Sequence, residues 1–246
     1  MMEYKKNKNK DPLFMTEKMV LKRDGQFLKE KINLIEEFKL KITVDNGKNF
    51  TINCLQTDIT ELIIGKVSIS NNLRNKNCIK INDLDTFNNV SVEILNTKGQ
   101  EDLNITKVWG RQYKKYSLQY VFKLAERFKQ GMELHKQTYM THSCLVMQEG
   151  NIIYTCEDIN RYNVLYKAYG YMILNDINPY ETYVYFSGRA DLKVMEMVDK
   201  INIGVFITKS SVTDKAAAFA RDNKITLICL ARPDEVSLYS GNLPEK

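Results

Sequence analysis

The sequence lacks any apolar run of the ~18 residues that a bilayer-spanning helix needs. Its Lys/Asn-rich start, residues 1–10, also lacks the apolar stretch of a secretory signal. Glycine (11) and proline (4) are scarce, which argues against a fibrous or low-complexity protein. With 43% hydrophobic residues, the 246-residue chain can bury a sizeable core. We expect a soluble, cytoplasmic protein with no membrane partner.

Closely spaced cysteines are missing as well. The cysteines are odd in number and none form a C-x-x-C motif; they are Cys54, Cys78, Cys144, Cys156 and Cys229. This pattern is typical of reduced cytosolic thiols and argues against a disulfide framework. Because zinc sites use ligand pairs at short spacing, no metal site is predicted.

The folded part of the chain has no strong charge of one sign. The net charge is +6, and half of that excess lies in residues 1–10, where four lysines face one glutamate. We interpret residues 1–30 as a flexible basic N-terminal segment and predict no nucleic-acid partner.

Hydrophobic periodicity divides the rest of the chain into two parts. The first part is predicted to contain a hairpin over 38–54, a helix over 57–67, a strand over 90–95 and a loop over 71–88. These elements indicate a smaller α+β N-terminal domain at residues 31–105. Residues 106–137 form a connecting loop and a helix that runs from Ser117 to Gly131.

The second part, residues 138–246, alternates strands with helices. After a hairpin over 144–154 and a helix over 162–173, the predicted elements are a strand over 183–186, a helix over 192–200, a strand over 203–207, a helix over 214–222 and a strand over 225–230. Alternation of this kind favours parallel pairing with right-handed crossovers. We therefore predict an α/β layer domain that is entered through an antiparallel hairpin.

Polar loops follow the strands of this predicted domain. Ligands of such sheets bind beyond the carboxyl ends of the strands, and the loops there are residues 157–163, 187–189, 210–213 and 232–235. Helix N-termini and arginine forks both favour phosphate, and Gly188 would let a ligand approach the backbone. We predict a phosphate-bearing ligand, although the chain has neither a G-x-G-x-x-G motif nor a P-loop.

These loops resemble the FdhD family of formate dehydrogenase accessory sulfurtransferases. Residues 157–163, E-D-I-N-R-Y-N, are similar to the family's E-D-V-G-R-H-N, and residues 187–190 match its S-G-R-A/S. His142 lies at the family's histidine, residues 210–213 resemble S-A-P-T, and residues 238–241 resemble its closing V-Y-S-G. The match covers residues 138–246 in order and is looser in the first half of the chain.

The resemblance implies a fold, a function and partners. It implies a cytidine-deaminase-like α/β/α layer domain with a mixed sheet, and a homodimer. The family takes persulfide sulfur from a cysteine desulfurase and passes it to the bis-guanine-dinucleotide molybdenum (or tungsten) cofactor of formate dehydrogenase. By resemblance the cofactor-binding residues are His142, Glu157, Asp158, Asn160, Arg161, Tyr162, Asn163, Ser187, Gly188, Arg189, Ser210, Ser211, Thr213, Leu230, Ala231, Arg232, Pro233, Asp234 and Glu235.

The chain departs from the family pattern where the sulfur would be carried. Family members have a C-G-x-C-type motif in the loop between the halves, whereas residues 106–116 here contain no cysteine. A persulfide requires a thiolate sulfur. Asn160 also replaces a glycine, Tyr162 a histidine and Tyr166 an aspartate, and Glu235 lies where a basic or small residue is usual.

Three hypotheses about function follow. The first is an FdhD-like accessory protein that binds and delivers the molybdenum or tungsten cofactor without transferring sulfur. The second is an active sulfurtransferase that uses another cysteine, for which Cys156 is the candidate because it precedes Glu157; the alternative for Cys156 is a buried core residue. The third is a non-catalytic nucleotide-binding or scaffolding module that kept only the fold.

Overall fold

The computed structural model describes residues 11–82, 89–95 and 112–244. The strands are β1 (Leu13–Leu21), β2 (Phe27–Ile35), β3 (Phe38–Val44), β4 (Asn49–Cys54), β5 (Ile79–Asn82), β6 (Asn89–Ile94), β7 (His142–Gln148), β8 (Asn151–Asp158), β9 (Tyr183–Phe186), β10 (Val205–Thr208), β11 (Thr226–Cys229) and β12 (Ser237–Ser240). The helices are α1 (Ile59–Asn71), α2 (Leu118–Lys129), α3 (Glu133–Thr138), α4 (Arg161–Leu174), α5 (Leu192–Ile201) and α6 (Asp214–Asp222). The fold is therefore mixed α/β.

A four-stranded sheet in the order β4-β3-β6-β5 forms the first half of the fold. The predicted hairpin is confirmed as β3 and β4, and Gly47 takes a φ of 84° in its turn, a conformation that glycine adopts without strain. Every second residue of β3 is buried, because only one face of the sheet packs on the core. Strand β6 runs parallel to β3 and closes the sheet against β5.

Helices α1 and α4 join the two halves through a close crossing. A Cβ added to Gly65 would lie 1.9 Å from the carbonyl oxygen of Tyr166, and one added to Gly170 would lie 1.9 Å from the carbonyl oxygen of Glu61. The backbones can approach this closely only because neither position has a side chain. One hydrophobic cluster consequently extends from Leu40 on β3 to Val198 on α5. The domain boundaries drawn from the sequence stay predictions.

The second half is a six-stranded mixed sheet in the order β12-β11-β10-β9-β7-β8. Strands β9, β10 and β11 are parallel, whereas the β7–β8 hairpin and β12 are antiparallel to their neighbours. The hairpin turns at Glu149 and Gly150, both with positive φ. The parallel strands are buried at every residue, as expected for a sheet covered on both faces. Sequence periodicity predicted these strands and helices α4, α5 and α6.

The interpretation of residues 1–30 as a flexible segment is wrong for residues 13–30. Strands β1 and β2 form a hairpin of nine residue pairs there, while residues 1–10 lie outside the described residues. The strands show no clean alternation because neither face packs on the core. Large apolar side chains are exposed along the hairpin, namely those of Phe14, Met15, Met19, Leu21, Phe27, Leu28 and Leu34.

Three other short elements also differ from the sequence expectation. Strand β5 lies within the segment predicted as loop, helix α3 has only six residues, and the four-residue strand β12 was not predicted. Four or six residues are too few for a periodic pattern to be recognised. Of the helices that the structure describes, none combines the length and the apolar character that crossing a membrane requires.

Candidate functional site

Five neighbouring strands of the large sheet, β7 to β11, have one end on the same side of the sheet. We call this side, where the strands end, the sheet edge and define it by loops 157–163, 187–191, 208–213 and 229–235. The register pairs His142 at the start of β7 with Asp158 at the end of β8. Hydrogen bonds then cross the edge from strand to strand. The amide of Ser187 donates to the carbonyl of Ser143 (3.0 Å), and the Ser210 hydroxyl donates to the carbonyl of Ser187 (3.0 Å).

Three helices begin at this edge, and each has a side-chain cap. The side-chain oxygen Oδ1 of Asn160 accepts from the amide of Tyr162 (2.9 Å) at α4. At α5, Asp191 accepts from the amide of Val194 (2.9 Å). Helix α6 is capped by Thr213, whose hydroxyl accepts from the amide of Ala216 (3.3 Å). The positive ends of three helix dipoles therefore face one edge of the sheet, where they favour anions.

Arg189 is the exposed cation of the second loop. Within the ranges that the structure describes, its guanidinium has no hydrogen bond and no ion pair. Arg232, in the last loop, is also exposed and donates one hydrogen bond to the carbonyl of Lys209 (2.9 Å). An unpaired arginine fork next to helix N-termini suits a phosphate group.

Arg161 is held differently. Its guanidinium pairs with the Asp191 carboxylate at 2.5 Å, donates to the Tyr162 hydroxyl at 3.0 Å and lies 5.0 Å from the centre of the Tyr162 ring. The ion pair connects the loop before α4 with the N-terminus of α5. Part of the Arg161 hydrogen-bonding capacity is therefore used within the protein.

The S-G-R segment is shaped mainly by contacts inside the protein. The Ser187 hydroxyl accepts from the amide of Ser143 (2.9 Å) and lies 3.3 Å from Nδ1 of His142. A Cβ on Gly188 would come within 2.5 Å of the Phe186 ring. The Thr208 hydroxyl also donates to the carbonyl of Gly188. Packing against Phe186 is thus a sufficient reason for glycine at position 188.

His142 is close enough to Arg161 and Arg189 for both charges to affect its imidazole. Burial lowers the pKa of its imidazole, and the charges of Arg161, His135 and Arg189 lower that pKa further. The ring is therefore neutral at pH 7. A neutral imidazole can donate from one nitrogen and accept at the other, which suits it to a polar ligand group at the edge.

Glu157 is buried and caps a helix rather than facing the edge. Its carboxylate accepts from the amides of Leu134 (2.9 Å) and His135 (2.8 Å) in the first turn of α3. The Thr141 hydroxyl donates to it as well, at 2.7 Å. All of these donors belong to the protein, and together they fix α3 beside the start of β7.

Asp158 and Lys167 form a fully buried ion pair at 2.8 Å. Burial alone would lower the pKa of Lys167, but the Asp158 carboxylate, together with smaller contributions from Cys156 and Asp58, outweighs burial and raises that pKa. The ammonium also donates to the Thr57 hydroxyl (3.2 Å) and the carbonyl of Glu157 (3.0 Å). Asp158 in turn accepts from the amide of Leu55 (3.2 Å). The pair thus connects the loop after β8 with the segment after β4.

Asn163 completes this connection. Its side-chain amide donates to the carbonyl of Asn53 (2.8 Å) and to the Asp158 carboxylate (2.8 Å). The buried polar network of Glu157, Asp158, Asn163 and Lys167 therefore lies beneath the sheet edge and fixes the conformation of the loop that presents Asn160 and Arg161.

In the last two predicted loops, residues 210–213 and 230–235, most hydrogen bonds involve backbone atoms. The amide of Leu230, which has a φ of 51°, donates to the carbonyl of Ser210 at 3.0 Å. The carbonyl of Ala231 accepts from the Tyr185 hydroxyl at 2.8 Å. The amide of Arg232 donates to the carbonyl of Glu235 (2.8 Å), which closes a turn over Pro233 and Asp234, and Ser211 is exposed.

All five cysteines lie in the described ranges and are buried. Burial raises the pKa of Cys54 to about 12 and that of Cys229 to about 12, and it raises the pKa of Cys156 well above its ordinary value. Cys156 lies opposite Cys144 in the β7–β8 pair. A buried thiol with a raised pKa is a poor nucleophile. Residues 106–111 of the cysteine-free loop lie outside the described residues.

Sequence reasoning missed Lys167 in this region and did not include Asp191 among the cofactor-binding residues. Asp191 had a detectable signal, since an aspartate directly before a periodic helix is a typical N-cap. Lys167 had none, because a lysine within a helix is ordinarily exposed. No group of three or more His, Cys, Asp or Glu residues suited to a metal ion occurs in the described part of the chain.

Comparisons with known proteins agree with this architecture. The model of the FdhD/NarQ family matches residues 35–244. Proteins named "Sulfur carrier protein FdhD" are similar: that of Listeria monocytogenes serovar 1/2a is 24% identical (88% of this chain, 93% of that protein), and that of Bacillus subtilis is 25% identical (92% and 97%).

A solved structure gives the same result for the fold. A crystal structure from Desulfotalea psychrophila, provisionally assigned as a formate dehydrogenase accessory protein, superposes with a TM-score of 0.79 at 18% identity. The superposition covers 94% of this chain and 98% of the other. With the family model matched over most of its length, the chain belongs to the FdhD/NarQ family.

Proposed function

We propose that this member of the FdhD/NarQ family is an accessory protein of formate dehydrogenase. In this proposal it binds the molybdenum (or tungsten) cofactor through its guanine-nucleotide phosphates at the sheet edge, and holds or delivers it without carrying sulfur itself. The observation that carries the proposal is the exposed and unpaired guanidinium of Arg189, in the described ranges, beside three helix N-termini.

The chemistry of the edge fits phosphate. Arg189 supplies a free fork, Arg232 lies on the neighbouring loop, and the capped helices present positive dipole ends. His142 is neutral and offers a hydrogen bond to an uncharged part of the ligand. When bound, the cofactor would supply the metal and its pterin ligands, whereas the residues of this chain bind and orient its phosphates.

The absence of sulfur transfer rests on the thiols. Sulfur carriage needs a reachable thiolate, but loop 106–116 contains no cysteine and every cysteine of the chain is buried. The raised pKa of Cys156 makes this residue an unsuitable replacement. The name "sulfur carrier" that the relatives bear therefore describes a step for which this chain lacks the required side chain.

The remaining parts of the proposal come from the family. We propose a cytidine-deaminase-like arrangement for the second half of the chain, a homodimer, and a location in the cytoplasm. Formate dehydrogenase is the proposed client, and the accessory role assigned to the Desulfotalea protein supports it. The resemblance also implies a cysteine desulfurase as a partner. If this chain carries no sulfur, such contact would require that the desulfurase act on another protein of the same assembly.

Mass spectrometry of ligand released from freshly purified protein tests the proposal, together with metal analysis of the same sample. We expect a guanine-containing pterin dinucleotide and molybdenum or tungsten. A guanine nucleotide without pterin or metal would support the non-catalytic nucleotide-binding or scaffolding module instead. Protein that neither carries nor binds any guanine nucleotide would reject the ligand assignment.

Persulfide labelling tests the sulfur part separately. The protein would be incubated with a cysteine desulfurase and cysteine and then treated with a thiol-specific label that distinguishes persulfides. We expect no stoichiometric label, because burial keeps the thiols protonated and inaccessible. Stoichiometric label on Cys156 would contradict this expectation and establish an active sulfurtransferase.

A further inference from the structure

A group of cations and aromatic rings lies along α4, next to the sheet edge, with which it shares Tyr162. We call it the lysine–tyrosine patch and define it as Lys66, Tyr162, Tyr166 and Lys193. Lys66 comes from α1, the tyrosines from α4 and Lys193 from α5. Because the tyrosines are four positions apart on one helix, their rings are neighbours on the same face.

Each lysine ammonium lies over a tyrosine ring. The Nζ of Lys66 is 4.8 Å from the centre of the Tyr166 ring and 4.7 Å from that of Phe50, and it donates to the Tyr166 hydroxyl at 3.2 Å. The Nζ of Lys193 is 4.6 Å from the centre of the Tyr162 ring. The two ammonium groups therefore lie over rings that are neighbours on α4.

Neither ammonium has an acidic partner within the described ranges. The acids on the same helices are Glu61, Asp191, Glu196 and Asp199. Of these, Asp191 is paired with Arg161, caps α5 and accepts from the Tyr162 hydroxyl at 3.4 Å. Lys66 is half-buried, and both its burial and the positive charge of Lys193 lower its pKa. The charges of Lys193 and Lys200 also lower the pKa of Tyr166, which burial raises.

A half-buried cation near a second cation is electrostatically unfavourable, and an anion bound between the two would remove that repulsion. We propose that the lysine–tyrosine patch is a second anion site, which binds a phosphate or diphosphate group between Lys66 and Lys193 with the Tyr166 hydroxyl as a further donor. The site does not use the guanidinium of Arg189, and it does not depend on guanine recognition at the sheet edge.

Lysine-specific NMR with inorganic pyrophosphate tests this site directly. In protein with ¹³C-labelled lysine, the Lys66 side-chain signals are identified by their loss in Lys66→Met. On addition of pyrophosphate, we expect the chemical shifts of the Lys66 and Lys193 signals to change and to reach a plateau. The signals of Lys31, which is exposed on β2, should stay unchanged. No response of Lys66, or a response no larger than that of Lys31, would overturn the proposal.

Variants distinguish charge from packing. Losing one charged hydrogen-bond donor should weaken pyrophosphate binding at the patch by roughly tenfold or more, both in Lys66→Met and in Lys193→Met. Lys66→Arg keeps the charge and should bind within a few-fold of wild type. Lys31→Met is the matched control. Equal affinity of Lys66→Met and wild type, at equal melting temperature, would refute the site.

The variant Arg189→Gln separates this site from the sheet edge. It removes the exposed arginine of the sheet edge and should leave the response of the Lys66 signals to pyrophosphate intact. Loss of that response in Arg189→Gln would show that the anion binds at the sheet edge and would reject a separate site. If wild type fails to bind GDP, the pyrophosphate titration still decides the question.

Discussion

Residues 157–163 divide into two regions that the sequence presents as one motif. Glu157, Asp158 and Asn163 are buried, and their polar atoms are engaged by partners within the protein. Asn160 and Arg161, between them in the chain, reach the surface at the sheet edge. Resemblance assigned the same role to all of these residues, whereas the structure separates those that shape the loop from those that can meet a ligand.

The two regions also differ in electrostatics. Beneath the edge, the Asp158–Lys167 pair is neutral overall and its hydrogen bonds are complete. At the edge, Arg189 has no partner in the described ranges and three helix dipoles add positive potential. The buried network therefore stabilises the fold and positions the loop, whereas the sheet edge provides affinity for the ligand. Substitutions in the network should lower the free energy of unfolding, and substitutions at the sheet edge should weaken ligand binding with little effect on stability.

Lys167→Met should produce the largest change. Removing the ammonium leaves the Asp158 carboxylate buried without a counterion, which costs about 3–5 kcal/mol of the free energy of unfolding. Urea unfolding measures this loss, with Lys39→Met on the exposed side of β3 as the control. A loss below about 1 kcal/mol would mean that Asp158 is hydrated or protonated, and that the network is not a rigid support.

Glu157→Gln should have a smaller effect on stability. The glutamine amide would place a donor against the amides of Leu134 or His135 or against the Thr141 hydroxyl, where a carboxylate oxygen now accepts. We expect a loss of about 1–3 kcal/mol by urea unfolding. Glu196→Gln, on the exposed face of α5, is the control. An unchanged stability would show that the capping of α3 is dispensable.

His142 should give the smallest effect, which depends on pH. Its pKa in the folded protein lies below the ordinary 6.5, so protons bind more tightly to the unfolded chain. The corresponding stability is complete above pH 6.5 and is lost as the pH falls toward the lower folded-state pKa. Wild type should therefore lose stability more steeply than His142→Gln as the pH falls below 6.5. Parallel pH profiles would contradict the lowered pKa.

Periodicity in the sequence was sufficient for most of the fold. The β3–β4 and β7–β8 hairpins, strands β9 to β11 and helices α4 to α6 were predicted because each has one buried face or a fully buried strand between turn residues. The β1–β2 hairpin was missed because apolar side chains occur on both of its exposed faces. Strand β5 is too short to show a pattern.

The candidate site was less accessible to sequence reasoning. Loop positions and helix caps follow from local residue types, so the convergence of Asn160, Asp191 and Thr213 at one edge could be expected from the order of strands and helices. Whether a polar residue faces solvent or a buried partner is set by distant segments. Asn163 bonds the carbonyl of Asn53, 110 positions earlier in the chain, and no local pattern reports such a contact.

Calorimetric titration with GDP tests the central claim most directly. Wild type should bind GDP, and Arg189→Gln should bind it roughly 10- to 100-fold more weakly with an unchanged melting temperature, because a charged hydrogen bond to phosphate is worth about 1.5–3 kcal/mol. Arg189→Lys should fall between them, since it keeps the charge but loses the fork. Equal GDP affinity in wild type and Arg189→Gln, or no binding by wild type, would contradict the assignment of the sheet edge as a guanine-nucleotide site.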